Sequence, residues 1–165
     1  MPAGPKLDIE AILRTLDRHG VEYIVVGGVC AVLHGAPIAT FDLDVVHSRS
    51  PENVARLMRA LRELKSHYRA QPEKKLRPAE SHLSGGGHQL LLTRFGPLDV
   101  LGLVGAGLGY EDLLPHTVWT ELGDGLRVRL LDLETLIQTK RETAGEKDLA
   151  VLATLRRILK ERSET

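Results

Sequence analysis

The sequence has little of what marks a secreted or membrane protein. One cysteine, Cys30, among 165 residues excludes an internal disulfide and fits a reducing compartment, so we expect a cytoplasmic protein. No apolar run approaches the length of about 18 residues that a membrane span needs. The first residues lack the apolar core of a signal peptide, so we also expect no membrane partner.

Aromatic side chains and net charge are also scarce. Aromatic residues make up 4% of the chain, and 22 Lys and Arg balance 22 Asp and Glu, so no global field draws the protein to nucleic acid. The stretch Arg56–Arg77 departs from this balance, with eight Lys or Arg against two Glu. It is either the solvated face of a helix and a polar loop, or a patch that meets a triphosphate or an RNA backbone.

The remaining composition is that of a globular protein. Hydrophobic residues make up 42% and charged residues 27%, and the length suffices for one domain over residues 1–165. We expect its core over about residues 7–130 and C-terminal helices over about 132–161. Alternating strand and helix patterns predict an α/β (α+β) fold, in which helices flank a mixed sheet and a helical C-terminal region follows.

The most informative stretch is Tyr23–Val46. Its apolar, β-branched start, Tyr23–Val26, predicts a buried strand. Gly27 and Gly28 then allow a sharp turn and the close approach of another group to the backbone. A short helix follows, and a second strand is predicted from Thr40 to Val46.

Two acids interrupt this second strand. Asp42 and Asp44 are two residues apart, so we expect both side chains on one face, while Phe41, Leu43 and Val45 point into a core. Two neighbouring carboxylates repel each other unless a cation lies between them, and a hard divalent cation is the natural partner. The alternative is a solvated edge strand with two exposed acids.

The order of strand, Gly-Gly turn, short helix and Asp-x-Asp strand resembles the nucleotidyltransferase fold of the DNA polymerase β type. The run Gly27–Gly35 is most similar to the small bacterial members, among them abortive-infection toxins of the type IV toxin–antitoxin class and minimal nucleotidyltransferases. Weaker similarity extends to about Asp148. Many members have Gly-Ser where this chain has Gly27 and Gly28, so the serine hydroxyl is missing here.

The resemblance implies a metal-dependent nucleotidyltransferase, which moves a nucleoside monophosphate from a nucleoside triphosphate (NTP) to an acceptor hydroxyl. The implied acceptors are an RNA such as tRNA, a protein or a small molecule, and a cognate antitoxin or other partner protein is a further candidate. Two Mg²⁺ ions, or Mn²⁺ in their place, would be bound by the catalytic residues Asp42, Asp44 and Asp99.

Asp99 lies in a strand predicted over Leu98–Val104, which forms a hairpin with His88–Thr93. An acid in an otherwise apolar strand needs a partner. In the resembled enzymes the third metal-binding carboxylate lies on such a later strand, and the resemblance assigns that role to Asp99. A structural ion pair or a strand-end cap is the alternative.

The resemblance also implies a triphosphate site. Backbone N–H groups of Gly27 and Gly28 would approach the phosphates, and Lys140, on a helix predicted to begin near Asp132, would contact them. A lysine in the last turns of a helix can instead simply balance the helix dipole. In the small bacterial members the pair corresponding to Lys147-Asp148, at the start of the next helix, also lies near the cleft.

Two further residues, Cys30 and His47, allow two interpretations each. Cys30 is expected in the core, with a nucleophile activated by His34 as the alternative. His47 is expected on the surface, with a ligand contact as the alternative. Residues 71–87, rich in glycine and proline, predict a long flexible connection.

Two other functions remain open at this stage. The chain is an inactive binding module of the same fold, such as an antitoxin-like partner or nucleotide sensor, or it is a metal-dependent phosphohydrolase. A phosphohydrolase usually has histidine ligands beside its acids, and His34, His47 and His88 are available without a recognisable ligand spacing.

Overall fold

The computed structural model describes the backbone of residues 5–142 and 146–164, and the side chains of residues 5–142 and 149–164. It contains seven α-helices and seven β-strands within these ranges. The elements in chain order are α1 Ile9–Arg18, β1 Tyr23–Val26, α2 Gly27–Leu33, β2 Leu43–His47, α3 Pro51–Glu63, β3 His67–Tyr68, α4 Glu80–Ser84, β4 His88–Thr93, β5 Gly96–Leu101, α5 Tyr110–Leu113, β6 Thr117–Glu121, β7 Arg127–Leu131, α6 Leu133–Glu142 and α7 Glu146–Ser163.

The strands form one mixed sheet in the order β3-β4-β5-β2-β1-β7-β6. Pairs β1/β2, β3/β4, β4/β5 and β6/β7 are antiparallel, while β2/β5 and β1/β7 are parallel. The predicted mixed α/β fold with a helical C-terminal region is confirmed. Within the described residues no helix is long and apolar enough to cross a bilayer.

The register divides the side chains between two faces of the sheet. Directly paired residues project to the same side, so Val25, Val45 and Val100 share one face, which we call the core face. Val26, Asp44 and Asp99 pair across the sheet and share the other face, which we call the site face.

The site face is covered on one half and open on the other. Over β1, β2 and β7 it is buried, as Ile24, Val46 and Leu131 show. Over β4 it is open, because the site-face residues His88 and Leu90 are solvent-accessible and Leu92 is half-buried, while Gln89 and Leu91 on the core face are buried. Asp44 and Asp99 lie where the two halves meet.

The predicted second strand began too early. The strand β2 starts at Leu43, and Phe41 and Asp42 precede it in a bend, so the alternation of the sheet does not reach them. The predicted inward position of Phe41 is therefore wrong: its side chain is 80% exposed. His47, expected on the surface, is instead buried at the end of β2, where its Nδ1 donates a hydrogen bond to the Ser48 carbonyl.

Residues 71–87 contain more structure than the flexible connection we predicted. A 3-10 turn at Pro72–Lys74 and the helix α4 lie within them, and Leu83 of α4 is fully buried. The strand β3 was also missed, because two residues carry no periodic pattern. The helix α6 begins beside Asp132 as predicted, and Asp132 Oδ1 caps it by accepting a hydrogen bond from the Thr135 amide.

Candidate functional site

The turn between β1 and α2 is shaped around Asp44. Val26, the last residue of β1, pairs with Asp44, and Gly27 follows with φ +69°. A Cβ at Gly27 would overlap the Asp44 carboxylate oxygen Oδ2. Only glycine therefore suits this position, both for its backbone conformation and for the space that the carboxylate occupies.

At Gly28 a different neighbour, Thr40, limits the space for a side chain. A Cβ at Gly28 would lie 2.9 Å from the Thr40 hydroxyl oxygen, which itself donates a hydrogen bond to the Asp42 carbonyl. A serine here, as the resembled enzymes carry, would require Thr40 to move. Thr40 places a hydroxyl beside the position where that serine side chain would begin.

The three predicted acids converge at this turn. One carboxylate oxygen each from Asp42, Asp44 and Asp99 lie within 4.8 Å of one another. Asp44 and Asp99 are direct neighbours across β2 and β5, and Asp42 joins them from the bend before β2. Among the described residues this is the only group of three or more potential metal-binding side chains, and it contains no histidine.

The group fits a divalent cation. It offers only carboxylate oxygens, the ligands that hard cations prefer. Asp44 Oδ1 is buried and accepts no hydrogen bond from any described residue. Because a buried carboxylate oxygen without a partner is unfavourable, this atom is best explained as a ligand for a cation.

The protonation of the acids reflects their crowding in the absence of a cation. Burial, followed by the charges of Asp42 and Asp99, raises the pKa of Asp44 to about 8. Burial and the nearby Asp99 also raise the pKa of Asp42. Lys140 opposes the shift at Asp44, and Arg69 opposes it at Asp42. A bound cation would favour the ionised form of both acids.

Arg69 reaches the group from the open half of the site face. Its Nη1 lies 2.8 Å from Asp99 Oδ1 and donates a hydrogen bond to the Leu91 carbonyl at 3.0 Å. The contact with Asp99 is an ion pair without hydrogen-bond alignment, since Asp99 Oδ1 accepts no hydrogen bond within the described part of the chain. Asp99 therefore forms the structural ion pair that was considered as its alternative role, and it also belongs to the group of three acids.

A cavity of about 220 Å³ opens on the other side of Asp44. Gly27, Asp44 and Lys140 contribute to its wall, with apolar residues of β1, β5 and α6 forming much of the rest. Lys140 is the residue of the predicted triphosphate contact, and the fold of α6 over the site face brings it to this cavity. The side chains of Lys147 and Asp148, also considered for the cleft, lie outside the described residues.

Two alternative roles lose support. Cys30 is fully buried, its Sγ donates to the Leu131 carbonyl at 3.3 Å, and burial raises the pKa of its thiol to about 12. His34 Nε2 donates to the same carbonyl at 2.8 Å, while Arg162 contacts its Nδ1. His34 is therefore a structural residue rather than a base for Cys30, and the predicted core position of Cys30 is confirmed.

Sequence reasoning missed Arg69 and Thr40 as neighbours of the acids. Arg69 was counted within the basic stretch, but nothing in its spacing singles out one of eight cations. Thr40 was placed inside a strand. Both contacts depend on how the β3 edge and the bend before β2 fold over the sheet.

Comparison with known proteins supports the fold. No family model matches the sequence, and no curated protein matches it. Among solved structures, protein TM1012 of Thermotoga maritima, which carries a provisional nucleotidyltransferase name, is similar with a TM-score of 0.58 and 20% identity, over 93% of this chain and 91% of that one. The lincomycin-bound lincosamide antibiotic adenylyltransferase LnuA is similar with a TM-score of 0.62 and 13% identity, over 93% and 99% of the two chains.

The chain therefore has a nucleotidyltransferase fold, as the resemblance implied. At these identities the similarity establishes the fold and not the reaction. The reaction has to be argued from the residues of the site.

Proposed function

We propose that this protein is a metal-dependent nucleotidyltransferase, which moves a nucleoside monophosphate from an NTP to an acceptor hydroxyl. The observation that carries the proposal is the group of Asp42, Asp44 and Asp99 directly beside the glycine turn, with Asp44 Oδ1 buried and without a partner. The adenylyltransferase with a similar fold supports the same general reaction class.

The three carboxylates are the proposed ligands of two Mg²⁺ ions, with Mn²⁺ as a substitute. When bound, such ions would neutralise phosphate charge and stabilise the attacking and leaving oxygens of an in-line displacement. An all-oxygen donor set without histidine suits Mg²⁺ better than Zn²⁺, which favours nitrogen and sulfur ligands.

The side of the group that faces Gly27 and Lys140 is the proposed triphosphate site. The close packing of Gly27 on Asp44 leaves no side chain between the backbone and the acid, so backbone N–H groups of Gly27 and Gly28 can approach the phosphates. Lys140 would add a positive charge at the wall of the same cavity.

The proposed step is a single displacement at the α-phosphorus. The acceptor hydroxyl oxygen forms a bond to that phosphorus, the bond from phosphorus to the bridging oxygen of pyrophosphate breaks, and pyrophosphate leaves. Asp99 takes the hydroxyl proton, since it is the acid of the group nearest the open half of the site face.

We place this activity on one domain over residues 1–165, working in the cytoplasm. The acceptor is an RNA, a protein or a small molecule with a free hydroxyl. A place in a toxin–antitoxin pair, or another partner protein, stays a prediction from the resemblance.

The first test is the thermal midpoint of unfolding with each of the four NTPs, with and without Mg²⁺. A ligand at about a hundred times its dissociation constant adds roughly 2.7 kcal/mol to the free energy of unfolding. For a domain of this size we expect the midpoint to rise by at least about 5 °C. The rise should require both metal and nucleotide.

The variants are Asp44→Asn and, as a matched control, Asp124→Asn in the exposed β6–β7 turn. We expect the shift to disappear in the first and to persist in the second. No shift of the wild-type protein with any NTP would support an inactive binding module instead. Release of free phosphate without label transfer from an α-labelled NTP would support the phosphohydrolase.

A further inference from the structure

The open half of the site face begins beside the acids. Leu90 of β4 pairs directly with Asp99, and its side chain is 46% exposed. Phe41 immediately precedes Asp42 and is 80% exposed. Large apolar side chains left in water this close to a polar site indicate a surface that another molecule covers.

A second cavity lies at this end of the sheet. It has a volume of about 450 Å³, and Thr40, Phe41 and Leu92 contribute to its wall. Leu92 lies on the site face, two residues along β4 from Leu90. The acids thus lie between this broad cavity and the smaller one at Gly27 and Lys140, which the proposed function assigns to the triphosphate.

Positive charge continues from the acids to the edge of the sheet. Arg69 follows β3, and its amide donates to the Leu90 carbonyl. The Leu76 carbonyl accepts a hydrogen bond from the Tyr68 amide, so the segment around residues 71–77 runs along the outside of β3. Lys74, Lys75 and Arg77 are exposed on that segment. We call Arg69, Lys74, Lys75 and Arg77 the basic edge.

The three cations of the outer segment outnumber its one acid, Glu73. No carboxylate of residues 5–142 or 149–164 forms an ion pair with Lys74, Lys75 or Arg77. The basic edge belongs to the stretch that carries eight cations against two acids in a chain of zero net charge. Arg69 is paired with Asp99, but the three cations of the outer segment leave an excess of positive charge on this edge, which favours a polyanion.

We propose that the acceptor is the end of a single-stranded nucleic acid, whose phosphates lie along the basic edge and whose terminal base stacks on Phe41. An exposed aromatic ring beside a positively charged track is how proteins hold single strands without reading their sequence. The terminal ribose hydroxyl then meets the acids from the open half of the site face.

An open surface suits this ligand better than a small acceptor. Small molecules bind in concave sites that bury most of their surface. Phe41 contributes to the wall of the broad cavity but is 80% exposed, and Leu90 lies outside the lining of that cavity, so the apolar surface beside the acids is not enclosed. A polymer, in contrast, gains affinity from contacts spread along a surface. The assignment of this polymer as an acceptor rests on the proposed function, whereas its binding does not.

The test measures binding without catalysis. A fluorescein-labelled single-stranded RNA dodecamer of mixed sequence, its DNA counterpart and the RNA duplex are titrated with protein, and fluorescence anisotropy is read at about 50 and 200 mM salt. We expect both single strands to bind, the duplex to bind more weakly because its bases are stacked internally, and affinity to fall as salt rises.

Two variants address the two parts of the surface. Phe41→Ala should weaken single-strand binding about tenfold at both salt concentrations, the loss expected for one stacked base. The triple variant Lys74→Gln, Lys75→Gln, Arg77→Gln should lower the slope of log affinity against log salt by about 2, since each phosphate contact to a single strand contributes about 0.7.

Matched controls exist elsewhere on the chain. Besides Phe41, Trp119 on β6 is the exposed large aromatic residue of the described chain, and it also lies on the site face. The guanidinium groups of Arg127 and Arg129 lie 5.0 and 4.2 Å from the centre of its ring. Trp119→Ala should leave binding unchanged. So should the triple variant Arg156→Gln, Arg157→Gln, Lys160→Gln on the exposed face of α7.

The outcomes separate this proposal from the proposed function. The proposal is overturned if neither single strand binds at about 50 mM salt, or if the control variants weaken binding as much as Phe41→Ala and the triple variant of the basic edge. If NTP binds but oligonucleotides do not, and the nucleotide is transferred to a small hydroxylated molecule or a protein, then the proposed function holds and the acceptor is not a nucleic acid. If oligonucleotides bind in a way that depends on Phe41 but no NTP binds, then the nucleic-acid surface is supported and the proposed nucleotidyl transfer is rejected.

Discussion

The two sides of the carboxylate group are built differently. On the inner side, Gly27 and Asp44 are packed against each other so closely that no other side chain fits between them, and α6 covers the cavity beside them. On the outer side, Phe41 and Leu90 are exposed to solvent, and Arg69 contacts Asp99 from the edge of the sheet. A preformed inner side suits a substrate of constant shape, such as a triphosphate, while an open outer side suits a substrate that varies.

The largest effects are expected from substitution of the acids, and these effects should differ between the inner and the outer side of the group. Asp44→Asn should abolish both transfer and metal-dependent NTP binding, because Asp44 faces the inner cavity. Asp99→Asn should lower the transfer rate by about 10³-fold, because the proton acceptor is lost, while NTP still binds through Asp42 and Asp44. Single-turnover transfer of an α-labelled NTP and thermal shift measure the two properties.

Asp124→Asn serves as the control for both variants and should behave as wild type. Equal loss of NTP binding in Asp99→Asn and Asp44→Asn would show that the acids act as one undivided metal site. The assignment of separate sides would then fail.

The next largest effect is expected at the glycine turn. Gly27→Ala should lower the free energy of unfolding by about 3 kcal/mol, because strain at a positive φ adds to overlap with the Asp44 carboxylate. Gly107→Ala, at φ +89° with open space around the position, should cost only about 1 kcal/mol. Urea unfolding of both variants isolates the contribution of the overlap. Equal costs would mean that Asp44 can move aside, and that the inner side is less rigid than its packing indicates.

A smaller effect concerns pH. The pKa of Asp44 is raised to about 8 in the folded, metal-free protein from an ordinary value of 3.8. Between these values the folded state keeps a proton that the unfolded chain has lost, so stability should fall as pH rises from about 4 to 8. Asp44→Asn removes the buried charge and should raise the metal-free midpoint at about pH 8 by about 5 °C, roughly 2 kcal/mol.

The measurement is a thermal melt in chelator across this pH range, followed by Mg²⁺ addition. Mg²⁺ should restore the stability of the wild-type protein at high pH and leave Asp44→Asn unchanged. A wild-type midpoint that rises between about pH 5 and 8 in chelator would contradict the crowded arrangement of the acids.

The smallest effect is expected from Lys140. Lys140→Ala should raise the KM for the NTP about tenfold, a loss of about 1.4 kcal/mol, because one cation at the wall of the inner cavity is removed. Arg141→Ala, an exposed neighbour on the same helix, is the control and should change nothing. An unchanged KM in Lys140→Ala would favour the alternative in which the lysine only balances the dipole of α6.

Local patterns in the sequence were sufficient for the elements nearest the site. The apolar run before Gly27 and the alternation around Asp44 and Asp99 predicted three strands, and all three lie in the sheet. The prediction failed where the pattern was extended three residues too far toward the N-terminus, to Thr40. Phe41 was assigned to the core because alternation was assumed to begin at Thr40, whereas the chain bends there and β2 begins at Leu43.

The buried histidines illustrate the same limit. Composition gives histidine no fixed location, so His47 was placed on the surface. In the structure it fills the end of β2, and burial lowers its pKa. Which polar side chain is enclosed depends on neighbours that are distant in sequence.

The sequence by itself determined the types of residue that the chemistry requires: a glycine pair after a strand, and three acids on or beside strands, because turn conformation and strand alternation are local properties. Only the tertiary structure decided how these residues meet. The pairing of β2 with β5 brings Asp44 beside Asp99, and the return of the chain along β3 brings Arg69 to the same acid. Sheet order and the covering of one half of the site face arise from packing between distant segments, which no local pattern specifies.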